Sequence, residues 1–100
     1  MSLPLISPLQ ANALVAEGAK LIDIRDPDEY AREHIPAARS VPLDTLPGGL
    51  ETHAGETVIF HCQSGARTSS NAARLAQAAA PAQAFIVEGG IQGWKQAGLI

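Results

Sequence analysis

The sequence predicts an α/β fold in which helices cover both faces of a mainly parallel sheet. Short segments rich in apolar residues, which are predicted to be strands, occur at residues 20–24, 57–61 and 84–87. Segments with helical spacing or helix-start signals separate these runs, and this alternation is typical of parallel sheets. With 100 residues, of which 46% are hydrophobic, the chain can build a modest core, so we interpret residues 1–100 as a single domain.

Two early helices are predicted where proline follows a capping residue, at residues 7–8 and 26–27. The first helix is expected to end at Gly18, because glycine is favoured just after the last helical residue. The second helix can close a capping box through Glu29. It should be short, because Pro36 follows soon after it.

The second half of the chain contains the longest predicted helix, over residues 68–80. Before it, an extended piece at 40–42 leads into residues 43–55, where a Pro-Gly-Gly sequence at 47–49 excludes a long helix. The apolar stripe of the long helix consists of Ala72, Leu75, Ala76 and Ala79. After residues 84–87, a turn at Gly89-Gly90 opens a last short helix, and core positions are expected for Ile91, Trp94 and Leu99.

Composition excludes several classes of function. The net charge of −3 provides no basic surface for nucleic acid, and no apolar run approaches the roughly 18 residues of a membrane segment. The first four residues lack the pattern of a secretory signal. The single cysteine cannot form an internal disulfide, and a free thiol fits a reducing compartment, so we predict a cytoplasmic protein. Three scattered histidines and one cysteine show no metal-ligand spacing, and no cofactor is predicted.

Cys62 follows a buried strand, at the edge of the sheet where parallel α/β folds bind ligands. Gly65 permits a positive φ, which lets successive N–H groups point at one anion. Arg67 adds a fork of donors at the rim, and Thr68 and Ser69 can cap the next helix and donate to the thiolate. Together these groups should lower the pKa of Cys62 below its ordinary value of about 8.5.

The sequence places no general base beside Cys62. A His and Asp partner, as acyl transfer would require, has no evident position in the sequence. The loop is therefore suited to a nucleophile that takes a soft atom from an anionic donor. A buried, inert cysteine is the competing interpretation, but the glycine and arginine that follow Cys62 argue against it.

Other polar residues near Cys62 each have a structural and a functional interpretation. His61 could tune the thiolate, but neighbouring side chains alternate along a strand, so we expect it to point away from the loop. Arg25 lies in a charged cluster with Asp23, Asp26 and Glu29, after a strand that ends at the same edge as Cys62. It could reach an anionic substrate. We favour a pairing of Arg25 with nearby carboxylates, which would fix the loop.

Three segments of the chain resemble the rhodanese-like sulfurtransferase domain. The first comprises LIDIRD at 21–26, EY at 29–30, HIPAA at 34–38 and VP at 41–42; the second is CQSGART at 62–68; the third comprises EGGI at 88–91, GW at 93–94 and Gly98. They follow the family's order and span nearly the whole chain. Two departures, Glu33 and Ala37 in place of common glycines, are expected to lie away from the loop.

The resemblance implies a five-stranded, mainly parallel sheet and a thiosulfate sulfurtransferase that needs no cofactor. Cys62 would be the catalytic residue, accepting a sulfane sulfur from thiosulfate or a similar small anion to become a persulfide. Cyanide, a thiol or a protein would then accept the sulfur. Substrate-binding positions carried over from the family motif, with Arg67 holding the anionic end of the donor, are Gln63, Ser64, Gly65, Ala66, Arg67 and Thr68.

Loop length separates sulfur transfer from phosphoryl transfer. Related phosphatase and arsenate-reductase loops have one residue more between cysteine and arginine than the four residues found here. The smaller ring favours a sulfurtransferase. Two other classes of function use the same fold: a sulfur carrier or redox-sensing module with a protein partner, and an inert interaction domain. The presence of both Cys62 and Arg67 argues against the inert domain.

Overall fold

A computed structural model describes residues 3–100 and contains one five-stranded sheet in which all paired strands are parallel. The strands are β1 (Leu5–Ile6), β2 (Lys20–Asp23), β3 (Ala38–Ser40), β4 (Thr57–His61) and β5 (Gln83–Val87). Their spatial order is β1-β5-β4-β2-β3, so the strand that precedes Cys62 is the central one. Met1 and Ser2, the first residues of the segment that lacks a secretory signal pattern, lie outside the described residues.

Residues 3–100 also form five α-helices and one short 3-10 helix, of which all but the last helix lie between strands in the chain. They are α1 (Pro8–Ala16), α2 (Pro27–Arg32), the 3-10 helix (Leu43–Thr45), α3 (Ala66–Ser70), α4 (Ala72–Ala79) and α5 (Gly90–Gln96). The two early helices begin as predicted, with Ser7 capping α1 by accepting a hydrogen bond from Gln10 N (3.1 Å). Within residues 3–100, no helix combines the length and apolar character needed to cross a bilayer.

The helix after the Cys62 loop differs from the prediction of one helix over 68–80. The chain forms α3 and α4 instead, separated at Asn71, whose Nδ2 donates to Arg67 O (2.7 Å). Such a side-chain bond competes with continued helical backbone bonding. The start is also earlier than predicted, because Gly65 (φ +100°) turns the chain directly into α3. In the apolar stripe Ala78 is buried, whereas the predicted Ala76 is only half-buried.

Two strands at the sheet edges also differ from the prediction. No strand is predicted before α1, because β1 is only two residues long and pairs with β5 through tertiary contact. The predicted extended piece at 40–42 becomes β3 at Ala38–Ser40. Val41 N nevertheless continues this path by donating to Asp23 O (2.9 Å).

Both faces of the sheet are buried, as predicted. Val58 and Phe60 of β4 face a core cluster that includes Leu75 of α4. Ile59, between them, faces a second cluster that includes Ile91 and Trp94 of α5. Because side chains alternate along a strand, a central strand covered by helices on both faces must be apolar throughout. This arrangement confirms the predicted α/β fold and leaves the carboxyl end of β4 to present Cys62.

Candidate active site

Cys62 lies directly after β4, and only 1% of its surface is exposed. Its Sγ accepts a hydrogen bond from Gly65 N (3.2 Å) and lies 3.7 Å from Thr68 Oγ1. The positive φ of Gly65 lets the chain fold back over the sulfur, as the sequence predicts. The polar groups of Gly65 and Thr68 therefore converge on the sulfur atom of Cys62.

The surroundings of Cys62 favour its thiolate. Burial raises the pKa of the thiol, but hydrogen bonds from Thr68 N–H, Thr68 Oγ1, Gly65 N–H and Arg67 N–H outweigh this effect, so the pKa is below its ordinary value. Among residues 3–100, the hydrogen-bond partners of Sγ include no imidazole and no carboxylate. The thiolate is thus stabilised directly rather than generated by a neighbouring base.

The start of α5 forms one wall of the loop through backbone contacts. Ile91 N donates to Cys62 O (2.9 Å), and Gln92 N donates to Gln63 O (3.2 Å). A Cβ atom on Gly90 (φ +59°) would lie 2.5 Å from Cys62 O and 2.6 Å from the carbonyl carbon of Gln63. Glycine is therefore required at position 90, because the backbone of α5 approaches the backbone of the Cys62 loop too closely for a side chain. The sequence alone indicates only a turn at this position.

Glu29 and Arg67 form a two-pronged ion pair on the opposite side of the loop. Arg67 Nη1 lies 2.7 Å from Glu29 Oε1, and Nη2 lies 3.0 Å from Oε2. The hydrogen bond from Arg67 lowers the pKa of Glu29 to about 2, with a further contribution from Asp26 N–H. The same bond raises the pKa of Arg67. Arg67 is thus held by α2, whereas the sequence analysis predicts for Glu29 a capping role and a place among the carboxylates near Arg25, and no pairing with Arg67.

Arg25 is a buried structural residue, as the favoured interpretation predicts. Its guanidinium binds Asp23 through Nε (3.0 and 3.1 Å) and Nη2 (2.8 Å). It also donates to Gln63 Oε1 (3.1 Å) and Glu33 O (2.7 Å). This network connects the core to the residue that follows Cys62. The expectation that Glu33 lies away from the loop is wrong, because Arg25 joins Glu33 to Gln63.

His61 points away from the Cys62 sulfur, as predicted from strand alternation. It is fully buried, with Nδ1 3.0 Å from Cys62 O and Nε2 3.7 Å from Asp23 Oδ2. Burial lowers the pKa of His61, more than the nearby Asp23 carboxylate raises it. The ring is therefore neutral near pH 7, and Nε2 has no hydrogen-bond partner among residues 3–100.

The structure brings together only some of the residues predicted to form the site, Cys62 and the substrate-binding positions 63–68. Cys62, Gly65 and Thr68 meet at the sulfur, while Gln63 turns to Arg25 and Arg67 to Glu29. Ser64 and Ala66 are exposed at the rim. One signal in the sequence could have indicated the pairing of Glu29 with Arg67. Glu29 lies on a helix that follows β2, and β2 ends at the same edge of the sheet as the strand before Cys62. Residues 3–100 contain no cluster of three or more His, Cys, Asp or Glu residues suited to a metal.

Comparison with known proteins identifies the family. The model of the Rhodanese-like domain matches residues 7–97. A thiosulfate sulfurtransferase GlpE of Ectopseudomonas mendocina is 35% identical over 92 residues, which cover 90% of this chain and 83% of that protein. An uncharacterized protein of Synechocystis is 42% identical over 80 residues, which cover 79% of this chain; the matched part is only 44% of that protein's length.

Solved structures agree with this assignment. A rhodanese-like domain protein from Staphylococcus aureus matches with a TM-score of 0.74 and 28% identity, covering 91% of this chain and 90% of that one. A thiosulfate sulfurtransferase from Pseudomonas aeruginosa matches with a TM-score of 0.83 and 25% identity, covering 96% of this chain but 18% of that one. With the parallel sheet and the loop at the end of its central strand, these matches show that the chain belongs to the rhodanese-like domain family, which includes sulfurtransferases.

Proposed function

We propose that this domain transfers a sulfane sulfur from thiosulfate, or a similar small anion, through a persulfide on Cys62. The observation that carries the proposal is the environment of the sulfur. Donors from Gly65 and Thr68 face Sγ, and the pKa of the thiol is lowered without a neighbouring base. A stabilised thiolate can attack an electrophilic sulfur, and such attack requires no proton transfer from the protein.

The first step forms the persulfide and releases sulfite. The Cys62 thiolate attacks the outer sulfur of thiosulfate, a new S–S bond forms at Cys62, and the S–S bond of thiosulfate breaks with its electron pair leaving on sulfite. The negative charge then lies on the outer sulfur of the persulfide. N–H groups of residues 63–68 are the candidate donors for that sulfur, since the loop already places Gly65 N 3.2 Å from Sγ.

The second step returns the enzyme to its starting form. A nucleophile, cyanide or a thiolate, attacks the outer sulfur, and the electron pair of the cleaved S–S bond returns to Sγ. The donors that stabilise the resting thiolate also stabilise it as the leaving group. Because Sγ is almost fully buried, the acceptor would meet the outer sulfur rather than Cys62 itself.

The test is the intact mass of the protein after incubation with thiosulfate and again after addition of cyanide. We expect a gain of one sulfur atom that is lost with cyanide as thiocyanate, and no gain in Cys62→Ser, which fills the same space. Turnover retained by Cys62→Ser would mean that the nucleophile has been misassigned. A persulfide that forms only from other donors would favour the alternative of a sulfur carrier or redox-sensing thiol serving a protein partner.

Phosphatase activity is the competing catalytic function. A structural match from Rhodopseudomonas palustris, with 28% identity and a TM-score of 0.74, is described as a protein of unknown function and possible tyrosine phosphatase. The loop of this chain has four residues between Cys62 and Arg67, one fewer than the related phosphatase loops, and the smaller ring leaves less room for a tetrahedral oxyanion. We therefore expect no Cys62-dependent hydrolysis of an aryl phosphate. Measurable hydrolysis that Cys62→Ser abolishes would contradict this expectation.

The free, reactive thiol also supports a proposed cellular setting. A cysteine that must cycle between thiolate and persulfide is best maintained where thiols stay reduced, which fits the cytoplasm. Fractionation of cells that express the full-length protein would check this location.

A further inference from the structure

A cleft opens beside the Cys62 loop, on the side of α2. It has a volume of about 330 Å³ and is lined by Arg25, Glu29, Arg32, Glu33 and Gln63. Gln63 is the neighbour of Cys62 in the chain, so the cleft borders the place where a persulfide would project. Its size is at the lower end of the roughly 300–1,000 Å³ typical of small-molecule sites.

The charges that line this cleft are paired, with one exception. Arg25 is paired with Asp23, Glu29 with Arg67, and Glu33 with Lys95. Among the ion pairs and hydrogen bonds formed within residues 3–100, none involves the side chain of Arg32. The residual charge of the cleft is therefore positive and is carried by Arg32 at the end of α2.

Gln63 provides a second donor in the same cleft. Its Oε1 is occupied by Arg25 Nη1 (3.1 Å), which fixes the orientation of the amide. The amide Nε2 makes no hydrogen bond within residues 3–100 and is not among their buried unpartnered atoms. A guanidinium and an amide N–H₂ that line one cleft are a donor set for a carboxylate.

We infer that this cleft is the acceptor subsite and that it selects small thiols bearing a carboxylate, which Arg32 binds. The inference rests on the proposed function, since it names the molecule that takes sulfur from the Cys62 persulfide. A carboxylate held at Arg32 would direct the thiol of the same molecule toward Gln63 and the adjoining persulfide. Arg32 is thus a specificity-determining residue for the second step.

The chemistry of this step is balanced without another reactant. The acceptor thiol loses its proton to solvent, and its thiolate attacks the outer sulfur of the Cys62 persulfide. An S–S bond forms on the acceptor, which leaves as a persulfide, while the bond to Sγ breaks and its electron pair remains on Cys62. The thiolate of Cys62 is then ready for another donor molecule.

The test measures sulfur release from preformed persulfide to three probe thiols. The full chain is loaded with thiosulfate or inorganic polysulfide, and mass spectrometry verifies one added sulfur. Rates are then compared for 3-mercaptopropionate, neutral 2-mercaptoethanol and cationic cysteamine, each corrected for its thiolate fraction. We expect the carboxylate probe to be preferred over the neutral probe about fivefold, the effect of one partly exposed charge contact.

Variants of Arg32 test whether this residue causes the preference for the carboxylate probe. Arg32→Gln should bring the ratio of the two rates close to one, whereas Arg32→Lys should keep most of the preference because it keeps the charge. Arg39→Gln is the matched control, since Arg39 is exposed on β3 and does not line the cleft. The amount of persulfide loaded by thiosulfate or polysulfide is measured in each protein, and the release rates are expressed per loaded Cys62.

The outcomes separate the two proposals. Equal ratios in the wild type and Arg32→Gln, or a preference for cysteamine, overturn the acceptor subsite while leaving the sulfurtransferase proposal intact. A loss of preference in Arg39→Gln as large as in Arg32→Gln also overturns it, because the effect would then follow net charge. Failure of both reagents to load Cys62 overturns the proposed function and the subsite with it.

Discussion

The Cys62 loop is held between two walls of different chemistry. The wall at α5 consists of backbone, with Ile91 and Gln92 N–H groups bound to the loop carbonyls and Gly90 pressed against them. The wall at α2 consists of charged side chains, the Arg25 network beneath the loop and the Glu29–Arg67 pair at its rim. The backbone wall at α5 fixes the path of the loop. The side-chain wall at α2 includes Arg67, an exposed charged group that can contact a ligand.

The comparison shows that burial, rather than residue type, determines the role of a side chain. Arg25 and Arg67 both make two-pronged contacts with a carboxylate, yet Arg25 is 3% exposed and the Arg67 side chain is 38% exposed. A buried ion pair cannot be broken without leaving an uncompensated charge, whereas an exposed pair exchanges readily with solvent and solutes. Four substitutions test the contrast between the two walls and between the buried and the exposed ion pair. They follow in order of decreasing expected effect.

Arg25→Met should cause the largest loss of stability. It leaves the fully buried Asp23 carboxylate without its partner, and breaking a buried pair in this way costs about 3–5 kcal/mol. Chemical denaturation would measure the loss. The double variant Asp23→Asn/Arg25→Met removes both charges and should recover part of it, so a double variant no more stable than Arg25→Met would contradict a structural role for the pair.

Gly90→Ala tests the backbone wall. The added Cβ would clash with backbone atoms of Cys62 and Gln63, and alanine would also have to adopt a positive φ. We therefore expect the free energy of unfolding to fall by about 3 kcal/mol and persulfide formation to be reduced. Gly98→Ala is the matched control, because Gly98 also has a positive φ but nothing lies within 4 Å of its added Cβ. Its cost should be about 1 kcal/mol, from strain alone. Equal losses in the two variants would show that the close approach is unimportant.

Arg67→Ala should affect catalysis more than stability. Removing the exposed ion pair costs about 1 kcal/mol at most, but the loss of one donor group for an anion should lower kcat/KM for thiosulfate about tenfold. The reaction of preformed persulfide with cyanide should change little. Stopped assays of the two half-reactions would measure this difference. Equal losses in both would make Arg67 a scaffold of the loop, like Arg25.

Glu29→Gln should produce the smallest effect, and that effect should depend on pH. The pKa of Glu29 is about 2 in the folded chain and 4.5 ordinarily, so its stabilisation is complete above pH 4.5 and is lost as the pH falls through 2. The variant should be about 1 kcal/mol less stable than the wild type at pH 7, and the difference should shrink toward pH 2. Denaturation curves across this range would measure it.

Glu17→Gln is the control for that profile. Glu17 is exposed and forms no ion pair within residues 3–100, so this variant removes one negative charge without breaking an ion pair. A stability difference for Glu29→Gln that stays constant from pH 7 to pH 2 would show that the ion pair with Arg67 does not stabilise the fold.

Local rules account for the parts of the fold that were predicted. The Ser7 cap, the proline that follows it and the apolar runs of β4 and β5 depend on residues close together in the chain. Where a distant residue intervenes, the prediction is wrong. Leu5–Ile6 becomes a strand only because β5 lies beside it. The break of the long helix at Asn71 is a different case, because its partner, Arg67 O, is only four residues away. The strand depends on a partner supplied by the fold, whereas the helix break follows from a local side-chain bond that the apolar spacing of residues 68–80 does not reveal.

The sequence by itself determined the alternating strands and helices, the position of Cys62 at the end of a buried strand, and the glycine that turns the loop over it. These features depend on periodicity and on backbone freedom, which are properties of short segments. Only the tertiary structure decided that Arg67 pairs with Glu29, that Gly90 must lack a side chain, and that Arg32 lines the cleft beside the loop without an ion-pair partner in the described part of the chain. Those relations join residues far apart in the chain, and ion pairing and close packing follow distances in space rather than order in sequence.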